Sequence, residues 1–215
     1  LHSSYYFLLI RAYQFGDLSL IYPVSRGLAP LLVSFGASAF LYEVPTLYEF
    51  LGLFIASIGI AAFALERKKG QGWDFRPFFY GTIIAVFVSA YTLVDGIGVR
   101  LSGNTISFIL WLFVAYALPI IFSSLILKRS TFLPYLRKHW LRTGVLGGGM
   151  CAIAYAFVVW ALMNAPLAHV SAMRETSVVF AALIGTFILG ESFGLRRVIS
   201  AAMVACGLAV MQLFG

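Results

Sequence analysis

Apolar residues in this chain come in blocks of about 20, the length a helix needs to cross roughly 30 Å of hydrocarbon at 1.5 Å per residue. Eight blocks can be marked: Ser4–Phe15, Leu18–Tyr42, Leu47–Leu65, Phe78–Val99, Thr105–Leu127, Thr143–Asn164, Leu167–Gly190 and Leu195–Phe214. The strands of a membrane barrel would alternate apolar and polar residues over about ten positions. These blocks are continuous, so the pattern predicts an all-α transmembrane protein. Composition agrees: 61% of the 215 residues are hydrophobic and 11% charged, where soluble domains carry roughly a quarter charged.

The charge balance narrows the function. A formal net charge of +7 could signal nucleic acid, but the basic residues sit in short connections between apolar blocks. No basic helix or zinc-finger spacing accompanies them. Nucleic acid is therefore excluded as a partner. Arg67, Lys68, Lys69 and Arg76 follow the third block, five Lys and Arg lie between Lys128 and Arg142, and Arg196 and Arg197 follow the seventh block. The alternate connections hold Arg100 alone, so the basic set is assigned to the cytoplasmic side of a multi-pass protein of the cytoplasmic membrane. That count places the C-terminus outside. Cys151 and Cys206 have no CxxC spacing and read as small packing residues. Neither a metal nor a cofactor is implied. No HExxH, GxSxG or Asp pair supports an enzyme.

The chain repeats itself. An offset of 148 positions carries Arg26 onto Arg174, Glu43 onto Glu191, Leu47 onto Leu195 and Gly59 onto Gly207. Matches of membrane-embedded charge weigh most, because charge is rare here. Residues 1–65 then hold the last three helices of a first copy, 66–77 form a basic polar linker, and 78–215 hold a complete second copy of five helices. By comparison of the copies, roughly 75 residues are expected to be missing from the first. Copies with an odd number of helices enter the membrane in opposite directions and enclose a site near the midplane.

The run GDLSLIYPVSRGLAPLLVSFGASAFLYE, Gly16 to Glu43, and its counterpart NAPLAHVSAMRETSVVFAALIGTFILGE, Asn164 to Glu191, resemble the drug/metabolite transporter superfamily, specifically its EamA-like permeases. In both runs a small-residue helix ends in Glu and is followed by a helix with a late Gly. The resemblance implies an inverted-repeat bundle of ten helices, of which about eight are present here. It also implies transport of small metabolites such as amino acids or related compounds. The alternative is a non-transporting subunit or truncated fragment of such a transporter.

Candidate substrate residues follow from depth. Arg174 lies about 12 Å into its helix, where an ionised group costs several kcal/mol unless paired or facing water. Glu175 is either a proton-coupling carboxylate or a partner for arginine on another helix, since sequence neighbours do not face each other. Ser171 lies one turn before. Arg26 holds the equivalent place in the first copy, with Tyr22 and Ser25 on its face and Pro23 and Pro30 expected to kink or interrupt the helix. Asp95, near the end of the fourth block, is a further cavity candidate. Expected partners are a small-molecule substrate, the lipid bilayer and a proton as coupling ion, with a homodimer left open. His169 reads as an interfacial residue or a pH sensor. Glu43 and Glu191 read as loop caps or contacts between copies. Gly147, Gly148 and Gly149 read as a close-packing helix face, as do Trp111 and Trp160.

The orientation is testable. In a cysteine-free background, Ser130→Cys should resist impermeant thiol reagents on intact cells and react after permeabilisation. Labelling from outside would reverse the assignment.

Overall fold

The computed structural model describes residues 1–15, 18–64, 75–177, 179–180 and 195–214. Most of these residues are helical, with no strand among them. The helices are α1 (His2–Phe15), α2 (Leu18–Leu41), α3 (Leu47–Ala64), α4 (Arg76–Ser102), α5 (Thr105–His139), α6 (Gly149–Asn164), α7 (Leu167–Arg174) and α8 (Leu195–Phe214), with a π-helical segment over Trp140–Gly148. By length and composition, four stretches can cross a membrane: Val24–Leu41, Phe78–Ser102, Thr105–Leu127 and Phe132–Asn164. Leu47–Ala62 and Ile199–Phe214 are shorter apolar helices. Among the described residues, four stretches of full length thus stand against the eight expected passes, and much of the expected seventh block lies outside them. Most of the expected linker, and Glu191, lie outside the described residues.

Three expectations change. The expected connection Lys128–Arg142 is helical, because α5 continues to His139 and passes through the π-helical segment into α6. No glycine stands between Thr105 and Thr143 to end a helix, and Pro119 and Pro134 are carried inside it. The winding widens from Trp140, and the widened stretch takes in Gly144, Gly147 and Gly148. Second, a Cβ at Gly149 would meet nothing within 4 Å, and those at Gly147 and Gly148 would meet only nearby backbone, so this run makes no close helix packing. Third, α2 runs uninterrupted through Pro23 and Pro30. Each proline removes one backbone donor, a loss that neighbouring helices can absorb. Cys151, Cys206, Trp111 and Trp160 are exposed instead of packed.

The chain divides into two compact units, one of Leu1, Ser3–Leu93 and Pro166–Gly215, the other of His2 and Val94–Ala165. In the first, α3 packs most extensively against α8, and α2 packs on α3 and α7. Leu53 and Ile60 of α3, Ala172 of α7, and Val204, Leu208 and Met211 of α8 form its core. The α3–α8 contact depends on missing side chains. A Cβ on Gly207 would strike the Gly52 carbonyl and the Ala56 backbone N, at 2.6 Å for the latter. A Cβ on Gly59 would lie 3.0 Å from both the Ser200 carbonyl and the Val204 N. Position 52 thus meets 207 while 59 meets 200, so the two helices run antiparallel.

In the second unit, Val99 of α4 and Val159 and Leu162 of α6 are fully buried. Arg100 explains why one basic residue stands on the sparse side. Its Nε donates to the Leu162 carbonyl at 3.0 Å and its Nη2 to the Ala165 carbonyl at 2.8 Å. These are carbonyls at the end of α6, where a helix lacks donors and favours a cation.

Gly52→Leu should cost about 1–3 kcal/mol or prevent folding, because the added side chain has only backbone to push against. Gly149→Ala should hold or raise stability by up to about 1 kcal/mol. Thermal unfolding in detergent micelles reads both; equal effects would show that the glycine contact does not hold the pair together.

Candidate functional site

The depth argument singles out α2 and α7, and the structure brings their charged residues together inside the first unit. Arg26 Nη1 donates to Glu175 Oε1 at 3.2 Å, joining residues 149 positions apart in sequence. The carboxylate is nearly inaccessible, with its side chain 3% exposed, and the guanidinium is 19% exposed. Arg26 also lies over the Tyr22 ring, 5.2 Å from its centroid, a cation–π contact that strengthens as water is excluded. Glu175 therefore finds its arginine on another helix, as its position beside Arg174 requires. Its second oxygen, Oε2, is buried and accepts no hydrogen bond from the described residues.

Backbone geometry sets Glu175 apart. The expected helix Leu167–Gly190 ends its first part at Arg174, and Glu175 caps it with φ −76° and ψ −7°. Its N–H turns back to the Ala172 carbonyl at 2.9 Å, a three-residue closure in place of the α-helical one. The irregularity expected at the prolines of α2 falls here instead.

The other candidates divide. Arg174 Nη2 reaches the Tyr91 hydroxyl at 3.4 Å, and Tyr91 in turn meets the Tyr5 ring edge-on at 5.7 Å. Ser171 is buried in α7. Ser25 is buried, but its hydroxyl donates to the Tyr22 carbonyl at 2.9 Å, which commits it to its own helix. Asp95 belongs to the second unit, where it accepts from His2 Nε2 at 2.8 Å and from the Tyr155 hydroxyl. His2 and Tyr155 carry no signal in sequence, because they lie 93 and 60 positions from Asp95.

A cleft of about 240 Å³ opens beside the start of α7, lined by Tyr42, Glu43, Glu49, Leu53, His169 and Met211 among others. Its carboxylates serve helix ends. Tyr42 adopts a left-handed φ of 57° after α2, a conformation that costs a non-glycine residue about 1–3 kcal/mol. That turn lets Glu43 Oε2 accept from the Leu167 N–H at 2.8 Å, the first residue of α7. Glu43 thus caps the start of α7. Glu49 forms a capping box with Thr46: the Glu49 N–H donates to Thr46 Oγ1 at 3.2 Å and the Thr46 N–H to Glu49 Oε2. The spacing Thr46-x-x-Glu49 was the available sequence signal. The other Glu49 oxygen lies 3.3 Å from His169 Nδ1, tying α3 to α7. No group of His, Cys, Asp and Glu among the described residues is arranged to hold a metal.

The ion pair predicts a non-additive response. Glu175→Ala should cost about 3–5 kcal/mol, since Arg26 would keep a buried charge without its carboxylate. Replacing both residues with Met should recover most of that loss, and thermal unfolding of the three proteins in micelles measures it. Additive losses would mean that the two side chains do not interact.

Comparison with known proteins adds one match. The family model for EamA-like transporters covers residues 76–213. No curated protein matches the sequence.

Proposed function

The chain belongs to the EamA-like transporter family, and from that membership we propose that it carries a small metabolite with a carboxylate, an amino acid or a related compound, across the cytoplasmic membrane by alternating access. It is a membrane permease of the drug/metabolite transporter type. The substrate class and the mode of transport rest on the site in the first unit.

The observation that carries this reading is the set Arg26, Glu175 and Arg174. Under the 148-residue offset, the pair Arg26–Glu175 would be answered by Arg174 and position 27. That position is Gly27, and Arg174 Nη2 donates to the Tyr91 hydroxyl. A guanidinium suits an incoming carboxylate, which it can take through two parallel bonds. The buried Glu175 Oε2 is the complementary acceptor for an ammonium group. A zwitterion thus finds an opposite charge for each end.

Alternating access draws support from the α3–α8 contact. The offset that carries Gly59 onto Gly207 also carries Gly52 onto Ser200 and Ala56 onto Val204. The backbone neighbours of Gly207 are thereby exchanged for those of Gly59, and the two helices run antiparallel. This is the relation expected of inverted repeats, and repeats that rock against each other open a central site to either side in turn.

Purified protein in proteoliposomes, offered a mixture of radiolabelled L-amino acids, should show uptake driven by unlabelled amino acids inside. Arg174→Ala should abolish that exchange while the protein elutes from size exclusion as wild type does. Arg174→Lys should restore it in part, because a compact ammonium lacks the bidentate fork. Undiminished exchange in Arg174→Ala would remove Arg174 from the site.

A further inference from the structure

We infer that Ser57 of α3 is a specificity-determining residue of the substrate site, its hydroxyl accepting from the substrate ammonium beside Glu175 Oε2. The inference deepens the amino-acid reading above and rests on it. Ser57 is 5% exposed, and its Oγ is buried without a hydrogen-bond partner. Glu175 Oε2 is in the same condition, and among the described residues these are the two buried side-chain oxygens left so. An orphaned serine is unusual in a helix. The hydroxyls of Ser38, Thr82, Thr92 and Ser124 each donate to the carbonyl four residues earlier, a local bond open to any helical hydroxyl. Ser57 has the Leu53 carbonyl at that spacing in α3 and leaves it.

Both oxygens belong to one place in the first unit. Leu53 and Ile60 of α3 share a core with Ala172 of α7, and Ser57 falls between them on the same helix face. Ala172 is the residue whose carbonyl accepts from the Glu175 N–H. Depth agrees. His169 Nδ1 lies 3.3 Å from Glu49 Oε1, which sets α7 and α3 level near their first turns. From that level Glu175 and Ser57 lie about 9 and 12 Å further along, at 1.5 Å per residue. Helix α2 closes the third side. A Cβ on Gly27 would stand 2.9 Å from the Ser57 carbonyl, and the preceding Arg26 holds the other Glu175 oxygen. An ammonium brings three donors to this junction. Glu175 Oε2 takes one in a charge-assisted bond, and Ser57 Oγ takes a second. A hydroxy acid of the same skeleton brings one donor and no positive charge, so it satisfies the carboxylate and leaves the serine orphaned. Polar groups left unpaired in this way are how a buried site rejects an analogue.

Exchange in proteoliposomes tests the assignment. The probes are the radiolabelled L-amino-acid mixture and, as unlabelled competitors, the hydroxy acids that carry a hydroxyl in place of each ammonium. Ser57→Ala should raise the half-saturating concentration of the amino acids about tenfold or more, the worth of a hydrogen bond to a charged group. The maximal rate should stay within about twofold, and inhibition by the hydroxy acids should shift by less than about twofold. Ser57→Cys, similar in size but a weak hydrogen-bonding group, should match Ser57→Ala. Without substrate, Ser57→Ala in micelles should unfold at the wild-type temperature or above it, because no bond is lost. A lower unfolding temperature would give the hydroxyl a structural partner and overturn the proposal. So would an unchanged half-saturating concentration in either variant, or an equal loss of affinity for the hydroxy acids. Absence of exchange in wild type would sink the permease reading instead, and substrate-induced thermal shifts in micelles would then decide the site alone. The amino-acid mixture should raise the unfolding temperature of wild type more than that of Ser57→Ala. Equal shifts, or none in wild type, overturn the proposal.

Discussion

A charge moved from water into hydrocarbon costs several kcal/mol unless an opposite charge or a set of aligned dipoles meets it. Several of the described contacts answer that cost. Arg26 meets Glu175, Asp95 meets His2 and Tyr155, Arg100 meets the carbonyls that end α6, and Glu43 meets the N–H that begins α7. Each contact also joins elements distant in sequence. The need to neutralise charge therefore fixes which helices are neighbours in a way that apolar side chains, interchangeable against lipid, do not.

Helix ends take part in the same arrangement. α7 is short, begins under the Glu43 carboxylate, is tied to α3 through His169 and Glu49, and ends at the irregular backbone of Glu175. A segment held at both ends by polar contacts can present its last residues at a defined depth. Arg174 and Glu175 occupy that place. Length alone would not have held them there, since eight residues span only about 12 Å.

The sequence made the helical class legible through block length, and charge rarity exposed Arg26, Arg174 and Glu175. It could not show that Glu175 faces Arg26, because that pairing depends on how α2 lies against α7. Nor could it join Asp95 to His2 and Tyr155, whose partners sit on separate helices. The basic stretch after Leu127 misled for a different reason. Lys and Arg mark the membrane surface, yet they are also good helix formers, and without glycine nothing stops the helix there. The run Gly147–Gly149 misled because glycine permits close approach without compelling it. Asp95, expected as a cavity residue alongside Arg26, lies buried among the second unit's residues.

The glycine contact between α3 and α8 has a bearing on origin. Gly207 meets Gly52 and Ala56, and Gly59 meets Ser200 and Val204; exchanging the copies returns the same set of contacts. A surface that is its own complement needs no second kind of partner. Two separate half-length chains, inserted in opposite directions, could bury this surface in one another as an antiparallel homodimer. The 148-position offset pairs Gly52 with Ser200 and Gly27 with Glu175, two places at which the runs differ. The Arg26–Glu175 ion pair depends on the second of these differences, since a glycine at 175 would offer Arg26 no carboxylate there.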